Sequence, residues 1–224
     1  MVRLLARWVV AAAGSVLLGL ALIGGGLYWH FLRSGPAPAV WHQVPLADFT
    51  AAQADTVRTL DDYRALEDRL FADLQQQVYE AVLPADRIVI NRYNAGSRSD
   101  PGIWPVNWNR TFRLAAATEG PPRGAVLLLH GLTDSPYSLR SIGENLAARG
   151  FEVVGLRLPG HGTAPSGLLS FEIEDMQAAV RLAMRDLRAQ DAPDRPLLIV
   201  GYSNGAALAV DYALEALDDA SLPK

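Results

Sequence analysis

The apolar run Leu197-Leu198-Ile199-Val200 leads straight into Gly201-Tyr202-Ser203-Asn204-Gly205, and that pentapeptide leads straight into Ala206 to Leu214, which reads as a helix. A strand that must become a helix within five residues has few ways of doing so. Glycine at both ends lets the backbone bend sharply, so that the serine hydroxyl stands exposed at the strand end with the helix N-terminus behind it. Gly-x-Ser-x-Gly alone is a weak pattern in a chain with 19 Gly. The strand before it and the helix after it make it specific.

The surrounding pattern supplies the sheet that such a turn needs. Ala125 to Leu129 is a buried-strand run, and Pro136 to Arg149 reads as a helix with Ser135 as N-cap and Pro136 at its first position. Glu152 to Leu158 is a further strand, Phe171 to Gln190 a helix, and the helix after Gly205 runs to about Leu217. Strands alternating with helices imply an α/β fold with a mostly parallel sheet covered on both faces. Upstream, Ile88-Val89-Ile90 reads as a short strand, and another falls near Asn109 to Leu114. In the irregular stretch between them, Trp104 and Trp108 either cover the sheet edge or line a binding cleft. Thr56 to Leu83 reads as one amphipathic helix stopped by Pro84, with Val57, Leu60, Tyr63, Leu66, Leu70, Leu74, Val78 and Val82 on one face. It packs on the globular domain or spaces that domain from a bilayer; about three heptads is marginal for a coiled coil.

The N-terminus carries a different signal. Trp8 to Trp29 is a run of 22 residues without a charge, about 33 Å as a helix. Trp8 at one end and Tyr28-Trp29 at the other suit the two interfaces. Arg3 and Arg7 precede the run and Arg33 follows it. The positive-inside bias therefore favours a single-pass anchor with a cytoplasmic N-terminus and an exported remainder, periplasmic or extracellular. The alternative is a cleaved signal peptide and a secreted protein, with Ala37-Pro38-Ala39 as the cleavage site. The organisation expected is a transmembrane anchor over 1–33, a linker over 34–55, the amphipathic helix over 56–84, and an α/β domain over 85–224.

Composition excludes several classes. A net charge of −4 gives no electrostatic reason to expect nucleic acid as a partner. With no Cys there is no disulfide, thiolate metal site or cysteine nucleophile. No His-x-x-x-His, carboxylate cluster or phosphate-binding glycine loop argues for a metal or cofactor, and none is expected.

Three segments line up at the C-terminal ends of strands, the edge where open α/β sheets place ligands. They are His130-Gly131-Leu132-Thr133-Asp134-Ser135-Pro136, Leu158-Pro159-Gly160-His161-Gly162-Thr163, and Gly201-Tyr202-Ser203-Asn204-Gly205. Together they resemble the α/β-hydrolase superfamily, and closely look like its monoacylglycerol-lipase and serine-aminopeptidase-like branch, over about Asn107 to Leu217. The resemblance implies Ser203 as nucleophile, attacking an acyl carbonyl to form an acyl-enzyme. It implies an oxyanion hole from the backbone N–H groups of Leu132 and Asn204. His130, Gly131, Gly201, Gly205 and His161 are the supporting motif positions, the histidines bracing loops rather than acting as base. Asp134 reads as a turn or cap residue.

In that family the triad runs Ser, then Asp or Glu, then His. Only 21 residues follow Ser203 and none is a histidine. Asp211, Asp218 and Asp219 sit on or just beyond the helix after the turn and are poor candidates for the acid. The expectation is a sheet incomplete at the C-terminus, the chain being the front part of a longer membrane-anchored serine hydrolase that acts on a small acyl ester or a lipid. As it stands, the 224-residue chain should be inactive or nearly so. The alternatives are a catalytically inactive binding module and a tether or dimerising element built on the membrane span and the helix from Thr56 to Leu83.

Overall fold

A computed structural model describes residues 2–35, 37–190 and 194–224. Pro36 of the linker and the side chain of Arg3, which enters the positive-inside count, lie outside the described residues. The chain forms two compact units, Met1–Pro38 and Ala39–Lys224. The first is helix α1 (Val2–Ser34). Within its stretch Arg7–Ser34, an 18-residue window has a mean hydropathy of 2.0 with none of that window buried. That is long and apolar enough to cross a bilayer, and a signal sequence meets the same description.

The second unit is built on a four-stranded mixed sheet. Its strands are β1 (Phe112–Leu114), β2 (Ala125–Leu129), β3 (Glu152–Leu156) and β4 (Leu197–Gly201), in the order β1-β3-β2-β4. β2 runs parallel to both neighbours, with Ala125 opposite Glu152 on one side and Leu197 on the other, and β1 runs antiparallel to β3. All five residues of β2 are buried, as a central strand covered on both faces requires. Side chains alternate across the pleat. Ala125, Leu127 and Leu129 face a core shared with α5 (Ile173–Gln190) and α6 (Asn204–Asp218), whereas Val126 and Leu128 face Phe112, Leu139, Ala147 and Val153. That second face is covered by a 3₁₀ turn (Pro136–Leu139) running into α4 (Arg140–Ala148).

The helix expected from Thr56 to Leu83 is shorter and mixed in kind. After the four-residue α2 (Val40–Gln43), α3 covers Leu60–Leu74 and a π-helical turn follows over Gln75–Tyr79. Thr59 sets the start: its hydroxyl accepts from the Asp62 amide while the Asp62 carboxylate accepts from the Thr59 amide, a capping box that satisfies two otherwise orphan donors. The π turn has a reason in the sequence. Leu66, Leu70, Leu74, Val78 and Val82 recur every four residues, and on a 3.6-residue helix each such step drifts by about 40°. The wider turn takes up the drift, and all eight residues of the stripe are buried.

This region is not an appendage of the sheet. Phe49 and Tyr63 pack edge to face, ring centroids 5.2 Å apart, in the same core as β2 and β3. Residues 39–55 and 56–84 thus contribute to one unit with the rest of the chain to Lys224. Ile88-Val89-Ile90 is not a strand: the segment is turn and coil with all three side chains exposed. Among the described residues no strand lies beside it, so the apolar triplet has nothing to pair with. The strand expected near Asn109 to Leu114 forms only over its last three residues.

Candidate active site

The turn after β4 is built as its glycines require. A methyl group on Gly201 would strike the backbone of Gly205 and Ala206, and one on Gly205 would strike the carbonyls of Leu129 and His130. The two glycines therefore let α6 close onto its own strand and onto β2. Between them Ser203 takes φ 52 and ψ −115 at the N-cap of α6. Such a conformation costs a non-glycine residue on the order of 1–3 kcal/mol and gathers at functional sites. Among the described residues, the only other non-glycine residue at positive φ is Thr133, at 61°. It lies in the loop that follows β2.

Those two strained loops touch. The Tyr202 amide donates to the Leu129 carbonyl at 3.0 Å, and a Cβ on Gly131 would stand 3.5 Å from the Cβ of Ser203. The amides of Leu132 and Asn204 donate to no acceptor among the described residues. Asn204 sits at the N-terminus of α6, where unpaired N–H groups and the helix dipole favour negative charge. Its side chain is directed elsewhere, Nδ2 lying 3.6 Å from the Met176 sulfur.

His130 and His161 form a buried brace under this edge. The Leu158 amide donates to His130 Nε2 at 3.1 Å, which fixes the proton on Nδ1, and Nδ1 donates to the Gly131 carbonyl at 2.9 Å. Burial pushes the His130 imidazole down to about 4. With both nitrogens engaged it is not available as a base. His161 donates from Nδ1 to the Pro159 carbonyl at 2.8 Å, and its ring is held between those of His130 and Phe171, each centroid 5.2 Å away. Burial also lowers its pKa. Its Nε2 is buried without a partner among the described residues, and the residue lines a cavity of about 230 Å³ with Thr133, Asp134, Ser135 and Thr163. Ser203 does not line that cavity. Among the described residues, no histidine is hydrogen-bonded to Ser203.

The Pro-Gly-His-Gly loop is held from beneath by groups that the motif-based reading passed over. Arg157 is wholly buried, grips the Asp48 carboxylate with both terminal nitrogens at 2.8 and 2.7 Å, and donates from Nε to Glu67 at 2.8 Å. Nη1 also donates to the His161 carbonyl at 3.0 Å, while Asp48 accepts the Gly160 amide at 2.8 Å. Glu67 accepts from the Thr111 amide and hydroxyl, and the Tyr63 hydroxyl donates to the Arg157 carbonyl at 2.8 Å. Burial would raise the Asp48 carboxyl, but the Arg157 guanidinium outweighs it and holds the group below the usual carboxylate range. For Glu67 burial wins over Arg157 and Thr111, and its pKa is raised. The signal was present in the sequence: an arginine between Leu156 and Leu158, in a run otherwise apolar from Val153, must find partners if the run is buried.

Ser135 stands at the expected N-cap position, with Pro136 opening the 3₁₀ turn, but its hydroxyl donates to Asn109 Oδ1 at 2.7 Å and makes no cap hydrogen bond. Trp108 packs edge to face on Phe112 at 5.1 Å, so it covers the sheet edge. With Trp104 it also lines a cleft of about 620 Å³.

A strained serine between strand and helix, two amides beside it with no acceptor among the described residues and a part-parallel sheet below have the form of a partial α/β-hydrolase core. Residues 120–221 match the family model described as Hydrolase_4, serine aminopeptidase, S33. Among curated proteins, the chain is 33% identical over 130 residues to the magnesium-chelatase 30 kDa subunit of Rhodobacter capsulatus, covering 52% of this chain and 43% of that one. It is 31% identical over 99 residues to a probable alcohol acetyltransferase of Saccharomyces cerevisiae, covering 43% and 28%. The chain thus spans less than half the length of these curated relatives. A solved structure from the description of LipS and LipT, two metagenome-derived lipolytic enzymes, is 31% identical with a TM-score of 0.43, covering 50% of this chain and 42% of that one.

Proposed function

We propose that this chain is the nucleophile-bearing part of a serine hydrolase that acts on carboxylic esters of small or lipid acyl groups. Ser203 attacks the acyl carbonyl, and the oxyanion that develops is held by the amides of Leu132 and Asn204. The observation that carries this reading is the Ser203 backbone, strained at φ 52 between β4 and α6 and set against Gly131. His130 and His161 position the two flanking loops.

The triad acid and base lie on segments beyond those described. Support for such segments is the apolar edge of the sheet. Leu198 of edge strand β4 and Val210, Leu214 and Leu217 of α6 are exposed, a hazard unless further strand and helix cover them. The apolar α1 anchors the protein, with its N-terminus cytoplasmic and the hydrolase unit exported.

The test is labelling with a fluorophosphonate and mapping of the modified peptide. Modification of Ser203 in the native protein, lost in Ser203→Ala, is expected. A well-folded native protein that takes no label at Ser203 would sink the proposal. Ester turnover by the 224-residue chain should not exceed that of Ser203→Ala, because among the described residues no histidine is hydrogen-bonded to the hydroxyl. A second reading, an inactive binding or tethering module, draws on that same absence of a histidine partner, and failure of labelling in the native protein would favour it.

A further inference from the structure

A second cleft lies beside Trp104, and Ser203 does not line it. It opens between the irregular segment that carries Arg92, Trp104, Val106 and Trp108 and the start of α4, where Tyr137 and Arg140 project. Its volume of about 620 Å³ falls in the range of small-molecule sites. Trp104 stands 64% exposed and Tyr137 55%. Large apolar side chains grouped in one concave surface are the informative kind of exposure.

The charged residues that line the cleft, Arg92 and Arg140, have one sign. Arg92 donates to the Gly162 carbonyl at 2.6 Å, which fixes the side chain, and its Nε is buried without a hydrogen-bond partner among the described residues. A buried donor left so is rare. Arg140 lies over the Tyr137 ring at 4.9 Å and the Trp108 ring at 5.8 Å. Its nearest carboxylate, Glu144, is 4.0 Å away. α4 begins at Arg140 with no acidic residue in its first turn, so the helix dipole adds to the positive potential instead of offsetting it.

From these features we infer that the cleft binds a single-chain amphiphile with an anionic head. The chain lies on Trp104, Val106 and Trp108, and the head sits between Arg92 and Arg140. The site does not require Ser203 to be a nucleophile.

The test uses the full chain in phosphatidylcholine nanodiscs, photolabelled with decanoate carrying a terminal diazirine, with the labelled peptides mapped by mass spectrometry. Label is expected within residues 99–140, displaced by decanoate or decyl phosphate but not by decanol. Trp104→Ala and Arg140→Gln should each raise the half-displacing concentration about tenfold, while Leu217→Ala on α6 leaves it unchanged. Equal displacement by decanol, label confined to other segments, or displacement unaffected by both substitutions would overturn the assignment. So would loss of the label in Ser203→Ala, which would put the head at the serine.

Discussion

Asp48→Asn is the sharpest probe of how the site is held. The substitution keeps the shape of the side chain and removes its charge. In the native protein that carboxylate takes two hydrogen bonds from Arg157, at 2.7 and 2.8 Å, one from the Gly160 amide at 2.8 Å and one from the Phe49 amide at 2.7 Å. Hydrogen bonds to charged groups are each worth roughly 1.5–3 kcal/mol, and removing one partner of a buried pair costs roughly 3–5 kcal/mol. Asn can keep one of the Arg157 bonds through its carbonyl oxygen, and Glu67 still neutralises the guanidinium. The loss should therefore fall at the lower end, about 3 kcal/mol, or on the order of 10 °C in Tm for a unit of this size. Urea and thermal unfolding of the full chain in detergent measure the loss, and hydrogen exchange locates it. Protection of the Leu158 and Gly160 amides should fall more than that of β2. A loss below about 1 kcal/mol with unchanged exchange at both amides would refute the reasoning that Asp48 and Arg157 hold this loop.

Three further outcomes follow from the same geometry. Ser203→Gly should be more stable than Ser203→Ala by roughly 1–2 kcal/mol, because glycine alone relieves the positive φ; equal stability by urea unfolding would show that the turn is not strained. Gly205→Ala should cost about 3 kcal/mol or more, since the methyl group has only the carbonyls of Leu129 and His130 to meet, and native-like unfolding of that variant would contradict the close approach. The His130 pKa is depressed to about 4 from 6.5, so the stability tied to its neutral form is full above pH 6.5 and is lost as pH falls towards 4. Between pH 7 and pH 5 that amounts to about 2 kcal/mol, seen as the extra pH dependence of the native chain over His130→Asn in urea unfolding, and parallel pH profiles would count against it.

What the sequence revealed follows physical lines. Runs such as Ala125 to Leu129, buried on both faces, and the turn from β4 into α6 are set by local pattern, and both form where expected. The buried stripe from Val57 to Val82 was also legible, but its helical ends were not. A capping box at Thr59 and a π turn after Leu74 set those ends, and the four-residue spacing hints only at the second. Ile88-Val89-Ile90 misled because β propensity describes a residue's fit to a neighbouring strand, and no such strand is there among the described residues. At the candidate site, motif spacing located Ser203, Gly131 and His161. It could not locate Asp48 and Glu67, which lie 109 and 90 residues before their shared partner Arg157. Contacts at that separation leave no periodic trace.

The Asp48–Arg157–Glu67 contact also separates two notions of a domain. The recognisable hydrolase pattern starts near residue 120, but the carboxylates that neutralise its buried arginine belong to the stretch before it. A version trimmed to the recognisable segment would keep a bare guanidinium in its interior and uncover the β2–β3 face that Phe49 and Tyr63 seal. The segment that can be traced by kinship is therefore smaller than the segment able to fold. Any transplant, fusion or expression boundary for this protein belongs upstream of Leu46, not at the edge of the family resemblance.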